Sequence, residues 1–355
     1  MAIIYGGRSP EHKISLLSAQ NVYQSLDKSL FDPILIAIDK SGVWHLNQGM
    51  IASESNAATV SSNHTDYPIL LSQNTGTHAM VSAIDKKIIT HVDVIFPVLH
   101  GAFGEDGSVQ GLAKLADIPC VGCGILGSAV GMDKDMMKHV LRSVGIPVAK
   151  WVTVRQSTGL PSYDSIVKKL GQELFIKPAN LGSSVGVSYS ADAATFASGV
   201  NEALRYDSKV IIEEKIVGRE IECAVLGNQK PKVSIPGEIV PKEGFYSYEN
   251  KYLDEKGAEL HIPAIMSAAQ KEKVQRLALD TYIALECRGM SRVDMFMKED
   301  NSLIINEINT IPGFTNISMY PKLWEATGLA QQDLITALID YAVQEHNDLS
   351  KLAMT

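Results

Sequence analysis

No stretch of the 355 residues is apolar over the about 18 positions that a membrane-spanning helix needs. Positive charge is also scarce: 32 Lys and Arg stand against 40 Asp and Glu, a net charge of −8. Binding nucleic acid by neutralising its phosphates is therefore not expected. A small anion remains open, because a few well-placed cations suffice for it. Cysteines number only four, Cys120, Cys123, Cys223 and Cys287. The Cys120-Val-Gly-Cys123 pair has no second CxxC or nearby CxxH to complete a zinc site. It also lies in a glycine-bracketed turn rather than at a helix start, so packed thiols are expected rather than a redox pair. No GxxxxGK[ST] segment occurs, which excludes a P-loop protein. The opening MAIIYGGRSP lacks the cationic start and apolar stretch of a signal peptide, so a cytoplasmic chain is expected.

What is present is a chain 45% hydrophobic and 20% charged, ample for a core and unlike a disordered one. At roughly 150 residues per domain, the length predicts two to three domains. Up to about residue 130 strands and helices alternate. Ala2 to Tyr5 reads as a strand running into Gly6-Gly7, followed by a helix with Ser9 as N-cap and Pro10 at its first position. Ile34–Asp39 and Val92–Gly101 read as buried strands, and Ser108–Asp117 as an amphipathic helix. This βαβ series predicts an open, mostly parallel sheet. The Ser/Thr/Asn-rich stretch 52–77 reads as a long surface insertion.

From Gly131 the pattern changes. A helix over Asp133–Val144 ends at Gly145-Ile146-Pro147, and short strands follow: LFIKP, VGVSYS, Val210–Ile216, Glu220–Gly227 and Val233–Val240. Their close spacing predicts antiparallel pairing. A helix from Ser267 to about Glu286, the strands SRVDMFM and LIINEIN joined by KEDNS, and a helix over Gln331–Glu345 complete the chain.

Chemistry concentrates in the last hairpin. Residues two apart on a strand share a face, so Arg292 pairs with Asp294 and Glu307 with Asn309. A tight hairpin brings Asp294 within about one pairing step of Glu307. Two carboxylates and an amide oxygen are hard ligands of the kind that hold Mg²⁺ against phosphate. They interrupt strands that are otherwise apolar, where unpaired charge would be costly; the alternative is the solvent-facing side of an edge hairpin.

The second signal is Asn180-Leu181-Gly182-Ser183-Ser184-Val185-Gly186, where glycines allow backbone N–H groups to approach phosphate oxygens. Lys177 precedes this loop and Lys134 opens an earlier helix, two separated cations for one phosphate chain. An ordinary hairpin turn is the alternative for the loop.

Gly122-Cys-Gly-Ile-Leu-Gly127 matches GxGxxG, but no acid lies about 20 positions on to hold a ribose, so dinucleotide binding is not expected. His100 with GEDGS (104–108) lies at the end of an apolar strand, where ligands collect in α/β sheets, although a satisfied loop histidine would read the same way. The aromatic and charged segment 243–257 reads as a lid or a surface loop. Gly313, in the segment after the last strand, is placed to offer its N–H to an oxyanion beside Arg292.

Taken in order, GGRSPEHKISLLSA, FPVLHGAFGEDGSVQG, MDKD, FIKPANLGSSVGVS, IIEEKIVGREIECAVLG, YSYENKY, SRVDMF and INEINTIPGFTNISMYPKLW resemble the D-alanine–D-alanine ligases of the ATP-grasp superfamily over essentially the whole chain. The resemblance implies an α/β N-terminal domain (1–131) followed by an ATP-grasp fold of two α+β subdomains, a central one (132–216) and a C-terminal one (217–355). It implies ATP-dependent joining of two D-alanine molecules through an acyl phosphate, for peptidoglycan precursors and the cell wall. Lys134 and Lys177 would contact ATP phosphates, with Lys251 approaching on closure. Glu213 would hold the adenine amino group and Glu220 the ribose. Asp294, Glu307 and Asn309 would bind two Mg²⁺, or Mn²⁺. Glu11 would take the ammonium of the first D-alanine, with His100 near its carboxylate, and Ser183 and Ser318 would receive the carboxylate of the second. Glu11, Ser183 and Tyr252 would form a hydrogen-bonded set, and Arg292 with Gly313 would stabilise the tetrahedral oxyanion. A homodimer through the N-terminal domain is also implied. Three other readings are open. D-lactate or D-serine as the acceptor keeps the fold, and a non-catalytic nucleotide-binding protein keeps it without the activity. A dinucleotide-dependent oxidoreductase is weakened by the missing ribose acid.

Overall fold

The computed structural model describes residues 1–47, 68–72, 77–241 and 258–352. The N-terminal part contains β1 (Ala2–Gly6), α1 (His12–Ser25), β2 (Ile34–Ile38), β3 (Trp44–Asn47), β4 (Ile69–Leu71), β5 (Ala79–Ser82), β6 (Ile88–His91), β7 (Ile95–Val98), α2 (Ser108–Leu115), α3 (Ile125–Met132) and α4 (Lys134–Ser143). Its main sheet has the order β3-β2-β1-β7; β1 runs parallel to both neighbours, and only β3 is antiparallel. β1 is buried along its whole length, as a strand covered on both faces must be. The strand expected over Val92–Gly101 shortens to β7, at the end of the sheet order, where the only further pairing among the described residues is a single bridge from Ile95 to Cys120 and Pro97 is tolerated.

Helix α1 starts later than expected. Ser9 does not cap it: its Oγ accepts the Glu11 N–H at 3.0 Å, closing a turn before the first helical residue, His12. That turn sets Glu11 at the helix mouth, where the site needs it. Of the expected insertion at 52–77, only 68–72 and Thr77 are described. Residues 69–91 contribute a small antiparallel sheet, β4-β5-β6.

The central sheet comprises β8 (Trp151–Arg155), β9 (Leu174–Pro178), β10 (Ser188–Ser190) and β11 (Lys209–Glu214), in the order β10-β9-β11-β8, covered by α5 (Tyr163–Leu170) and α6 (Ala193–Ala203). All its pairings are antiparallel, as the short strand spacing predicts. The third sheet contains β12 (Arg219–Leu226), β13 (Lys232–Val233), β14 (Gly237–Pro241), β15 (Ala258–His261), β16 (Met290–Met297) and β17 (Leu303–Asn309) in the order β15-β14-β12-β16-β17, with β13 paired to β12. With it go α7 (Ala268–Ala284), α8 (Met319–Thr327) and α9 (Gln331–Ser350). The strand expected over Val233–Val240 is broken. Ser234 Oγ takes the Ala224 N–H at 3.0 Å and Pro236 has no N–H to donate, so the ladder resumes only at Gly237.

The expected boundaries at 131 and 216 separate sheets, not cores. Residues of β1 and α1 share one apolar cluster with Tyr320, Trp324, Leu334 and Leu338 of α8 and α9. Helix α4 sends Met137 and Leu141 into the core of the third sheet. The central sheet has a core to itself, built on Val154, Leu174, Ile176, Phe196 and Val210, and the N-terminal part keeps a second cluster of its own around Ile4, Ile36, Ile95 and Val109.

Candidate active site

Strands β16 and β17 form the expected hairpin, and its register sets Asp294 directly opposite Glu307 and Arg292 opposite Asn309. Val293, Met295 and Met297 of β16 face the core, leaving Arg292, Asp294 and Phe296 on the other side. On β17 the core residues are Leu303, Ile305 and Ile308, so the alternation changes phase in mid-strand. A bulge does this: Met295 pairs with Ile305 and Asp294 with Glu307, leaving Asn306 as the extra residue. The sequence pattern concealed the bulge but named the residues it presents.

Asn309 Nδ2 donates to Asp294 Oδ2 at 2.9 Å, and Arg292 grips Asp294 with two bonds of 2.7 Å each. Arg292 Nε also lies 2.8 Å from Glu222 Oε2, a buried carboxylate on β12 directly opposite Asp294. Arg292 therefore serves first as the shared counter-charge of Glu222 and Asp294. Glu222 was missed from sequence, although its position two after Glu220 in an otherwise apolar strand marks it as sharing the face of that acid.

Facing this hairpin across a cleft of about 740 Å³ are Lys134, Lys177, Glu213, Glu220 and the loop 181–184. Its size falls within the range typical of small-ligand sites. Lys134 opens α4, whose first turn is capped by Asp133 through the N–H groups of Asp135 and Met136. Lys209 pairs with Asp133, and the Lys134 N–H donates to Ala179 O at 2.9 Å. The Lys134 ammonium lies 2.7 Å from Leu181 O and 3.3 Å from Glu307 Oε2, spanning the loop and the hairpin.

Lys177, on β9, reaches Glu213 Oε2 at 2.7 Å and Asn306 Oδ1 at 3.4 Å. Burial works against its charge, but the neighbouring carboxylates, Glu213 foremost, outweigh that and raise its pKa. Glu213, expected at an adenine amino group, lines the cleft and is held in place by two lysines. Its two oxygens are held by Lys177 and by the buried Lys138, 2.8 Å away. Burial opposes ionisation of this carboxyl, yet the two ammonium groups bring its pKa down to about 2. A carboxylate so engaged is ionised and fixed in place. Lys138 too was missed, though it repeats Lys134 one helical turn on.

Glu11 meets the glycine loop as expected, with Ser183 Oγ donating to Glu11 Oε1. Ser183 and Ser184 both adopt left-handed backbone, at φ 52° and 59°, in the tight turns that carry the hydroxyl there. Glu11 also lies against Gly101: a Cβ at that residue would be 2.4 Å from Glu11 Oε2, and its φ of 75° independently favours glycine. Tyr252 and Lys251, with the expected lid 243–257, lie outside the described residues.

His100, expected near a substrate carboxylate, also has structural partners. It is buried, its Nδ1 lies 3.1 Å from Ile311 O and its Nε2 lies 3.0 Å from Ser18 Oγ. Burial lowers its pKa to about 4, so the ring is neutral near pH 7. A neutral ring with both nitrogens engaged orients the segment after β17. Ser18 Oγ accepts the Phe314 N–H at 3.2 Å, and Glu105 accepts the N–H groups of Ile311 (3.2 Å) and Gly101 (2.7 Å). Burial first, then the charge of Glu11, raise the Glu105 pKa. These contacts hold the turn bearing Gly313, whose N–H has no hydrogen-bond partner among the described residues. Ser318 stands at the head of α8 and bonds Thr315, with its Oγ 2.8 Å from where a Gly313 Cβ would be.

The formal GxGxxG has a packing explanation. A Cβ on Gly127 would come within 3.1 Å of Glu286 O and 3.2 Å of Cys287 Cα, so the glycine lets α3 lie against the chain after α7. The CxxC thiols are free: Cys120 sits where the chain bridges to Ile95, its pKa pushed up by burial to about 12, while the Cys123 thiol donates to Met290 O at 3.3 Å.

Comparison with known proteins agrees with this geometry. Residues 1–123 match the family model "D-ala D-ala ligase N-terminus" and residues 140–340 match "D-ala D-ala ligase C-terminus". A curated D-alanine--D-alanine ligase of Shouchella clausii (strain KSM-K16) is 48% identical over 98% of this chain and 95% of its own. The solved D-alanine-D-alanine ligase of Coxiella burnetii superposes with a TM-score of 0.86 at 38% identity, covering 99% of this chain and 96% of the other. The VanG D-Ala:D-Ser ligase of Enterococcus faecalis gives 0.85 at 37% identity, covering 96% and 98%.

Proposed function

The chain belongs to the D-alanine–D-alanine ligase family, and from that premise we propose that it joins two D-alanine molecules with ATP, releasing ADP and phosphate and supplying a peptidoglycan precursor in the cytoplasm. The carrying observation is that Glu307, paired with Asp294 in the hairpin, lines one cleft with Lys134 and Lys177. The oxygen donors Asp294, Glu307 and Asn309 would hold Mg²⁺, or Mn²⁺: their chemistry suits a hard cation, and Glu307 lies 3.3 Å from the Lys134 ammonium. When bound, the metal supplies charge neutralisation to the terminal phosphates.

The protein's own residues do the rest. Lys134 and Lys177 draw the phosphates into the cleft, and Glu220 on its wall is placed for the ribose hydroxyls. Glu11 orients the first D-alanine by its ammonium. Its carboxylate takes the γ-phosphoryl group, because a bare carboxylate is too poor an electrophile for an amine. Ser318 and the N-terminus of α8 together favour the carboxylate of the second D-alanine. Its amine attacks the acyl phosphate, and the Gly313 N–H with Arg292 stabilises the oxyanion that forms. Lys251 and Tyr252 complete the site from the lid, in the roles the family resemblance gives them; water excluded there cannot hydrolyse the acyl phosphate. Pairing of two chains through the N-terminal domain is part of the same reading, with exposed Leu115, Ile125 and Leu126 as apolar surface.

Phosphate release measured with D-alanine, L-alanine, D-lactate and D-serine, with and without Mg²⁺, tests the reading. Release is expected with D-alanine and Mg²⁺, and the product dipeptide by mass. Preference for D-serine would favour the acceptor of the VanG-type structural relative instead.

A further inference from the structure

Lys138 has a side chain with 0% exposure. It does not line the cleft. Its only ionic contact among the described residues is Glu213, whose other oxygen holds Lys177. Lys177 does line the cleft. Charge counting then poses a problem: Lys177 and Glu213 alone would sum to zero, a poor arrangement for holding a nucleotide's phosphates. Adding Lys138, which lies behind the two members that line the cleft, makes the buried row Lys138–Glu213–Lys177 net +1.

We propose that Lys138 is a positioning residue for the nucleotide: by taking half of Glu213, it lets that carboxylate fix the Lys177 ammonium without cancelling its pull on phosphate. The inference rests on the reading of the cleft as an ATP site. Burial presses the Lys138 pKa down and the Glu213 carboxylate is the strongest opposing influence. A buried lysine without such a task would be better replaced by an apolar side chain.

Titration calorimetry of the full chain with ATP, ADP and adenosine, in the presence of Mg²⁺, tests this. Lys138→Met is expected to weaken ATP and ADP by about tenfold or more and to leave adenosine within about twofold, while Lys138→Arg stays within about threefold of wild type for all three. Equal loss of ATP and adenosine, or loss of neither, would overturn the proposal. Should Lys138→Met not fold, Lys138→Gln takes its place with the same expectation, ATP and ADP weaker by about tenfold and adenosine within about twofold, and unchanged ATP affinity would overturn the charge argument. Wild-type chain binding no nucleotide would instead remove the ATP reading itself.

Discussion

His100 braces the segment after β17 through both ring nitrogens. Its ring is buried and neutral, with a pKa near 4 against an ordinary 6.5. Between those values the unfolded chain binds the proton more readily, so stability present above pH 6.5 is lost as the pH falls towards 4. The linked loss is on the order of 3 kcal/mol. Chemical denaturation of wild type and His100→Gln at pH 7 and 4.5 should show their stability difference shrinking in acid; a constant difference would mean the ring is not forced neutral. Glu222 acts through Arg292, which in turn grips Asp294. Residues that orient a metal ligand typically affect activity 10–100-fold when changed, so about that fall in kcat is expected for Glu222→Gln, read by phosphate release. An unchanged kcat would show that Arg292 keeps its place without it.

Among the elements, the hairpin was the most legible from sequence because polar residues in an apolar strand must face something other than core. Its bulge was not, since Asn306 adds a residue without changing the residue types on either face. Helix α1 was misplaced by two residues because Ser9 can cap a helix or close a turn, and the choice is made by Glu11, which the glycine loop holds from far along the chain. The Lys138–Glu213 contact was hidden for a related reason: the lysine lies on a distant helix, and no local pattern joins the two. The GxGxxG turn has a packing role that makes a prediction. Gly127→Val would press a branched side chain on the backbone at 285–287. Overpacking of this kind costs about 1–3 kcal/mol. A lowered melting temperature, with ATP affinity unchanged, is the expected result; unaltered melting would refute the close packing.

Across the whole molecule, the first and third sheets are welded by a common core to which α9 contributes Leu334, Ile335, Leu338 and Ile339, each at most 2% exposed. Burial of one such side chain is worth about 1.5–3 kcal/mol, so losing four rivals the roughly 5–15 kcal/mol that keeps a domain folded. A chain ended at residue 330 should therefore be insoluble or lack a cooperative melt, and a soluble, cooperatively melting product would contradict the shared core. The central sheet stands apart, with its apolar interior sealed within itself. Ser183–Glu11 and Lys134–Leu181 are polar ties between this unit and its surroundings. A jaw built this way can swing as one piece, wetting no greasy surface, so nucleotide traffic exchanges a few polar handholds for water and leaves the frame that aligns the two amino acids undisturbed.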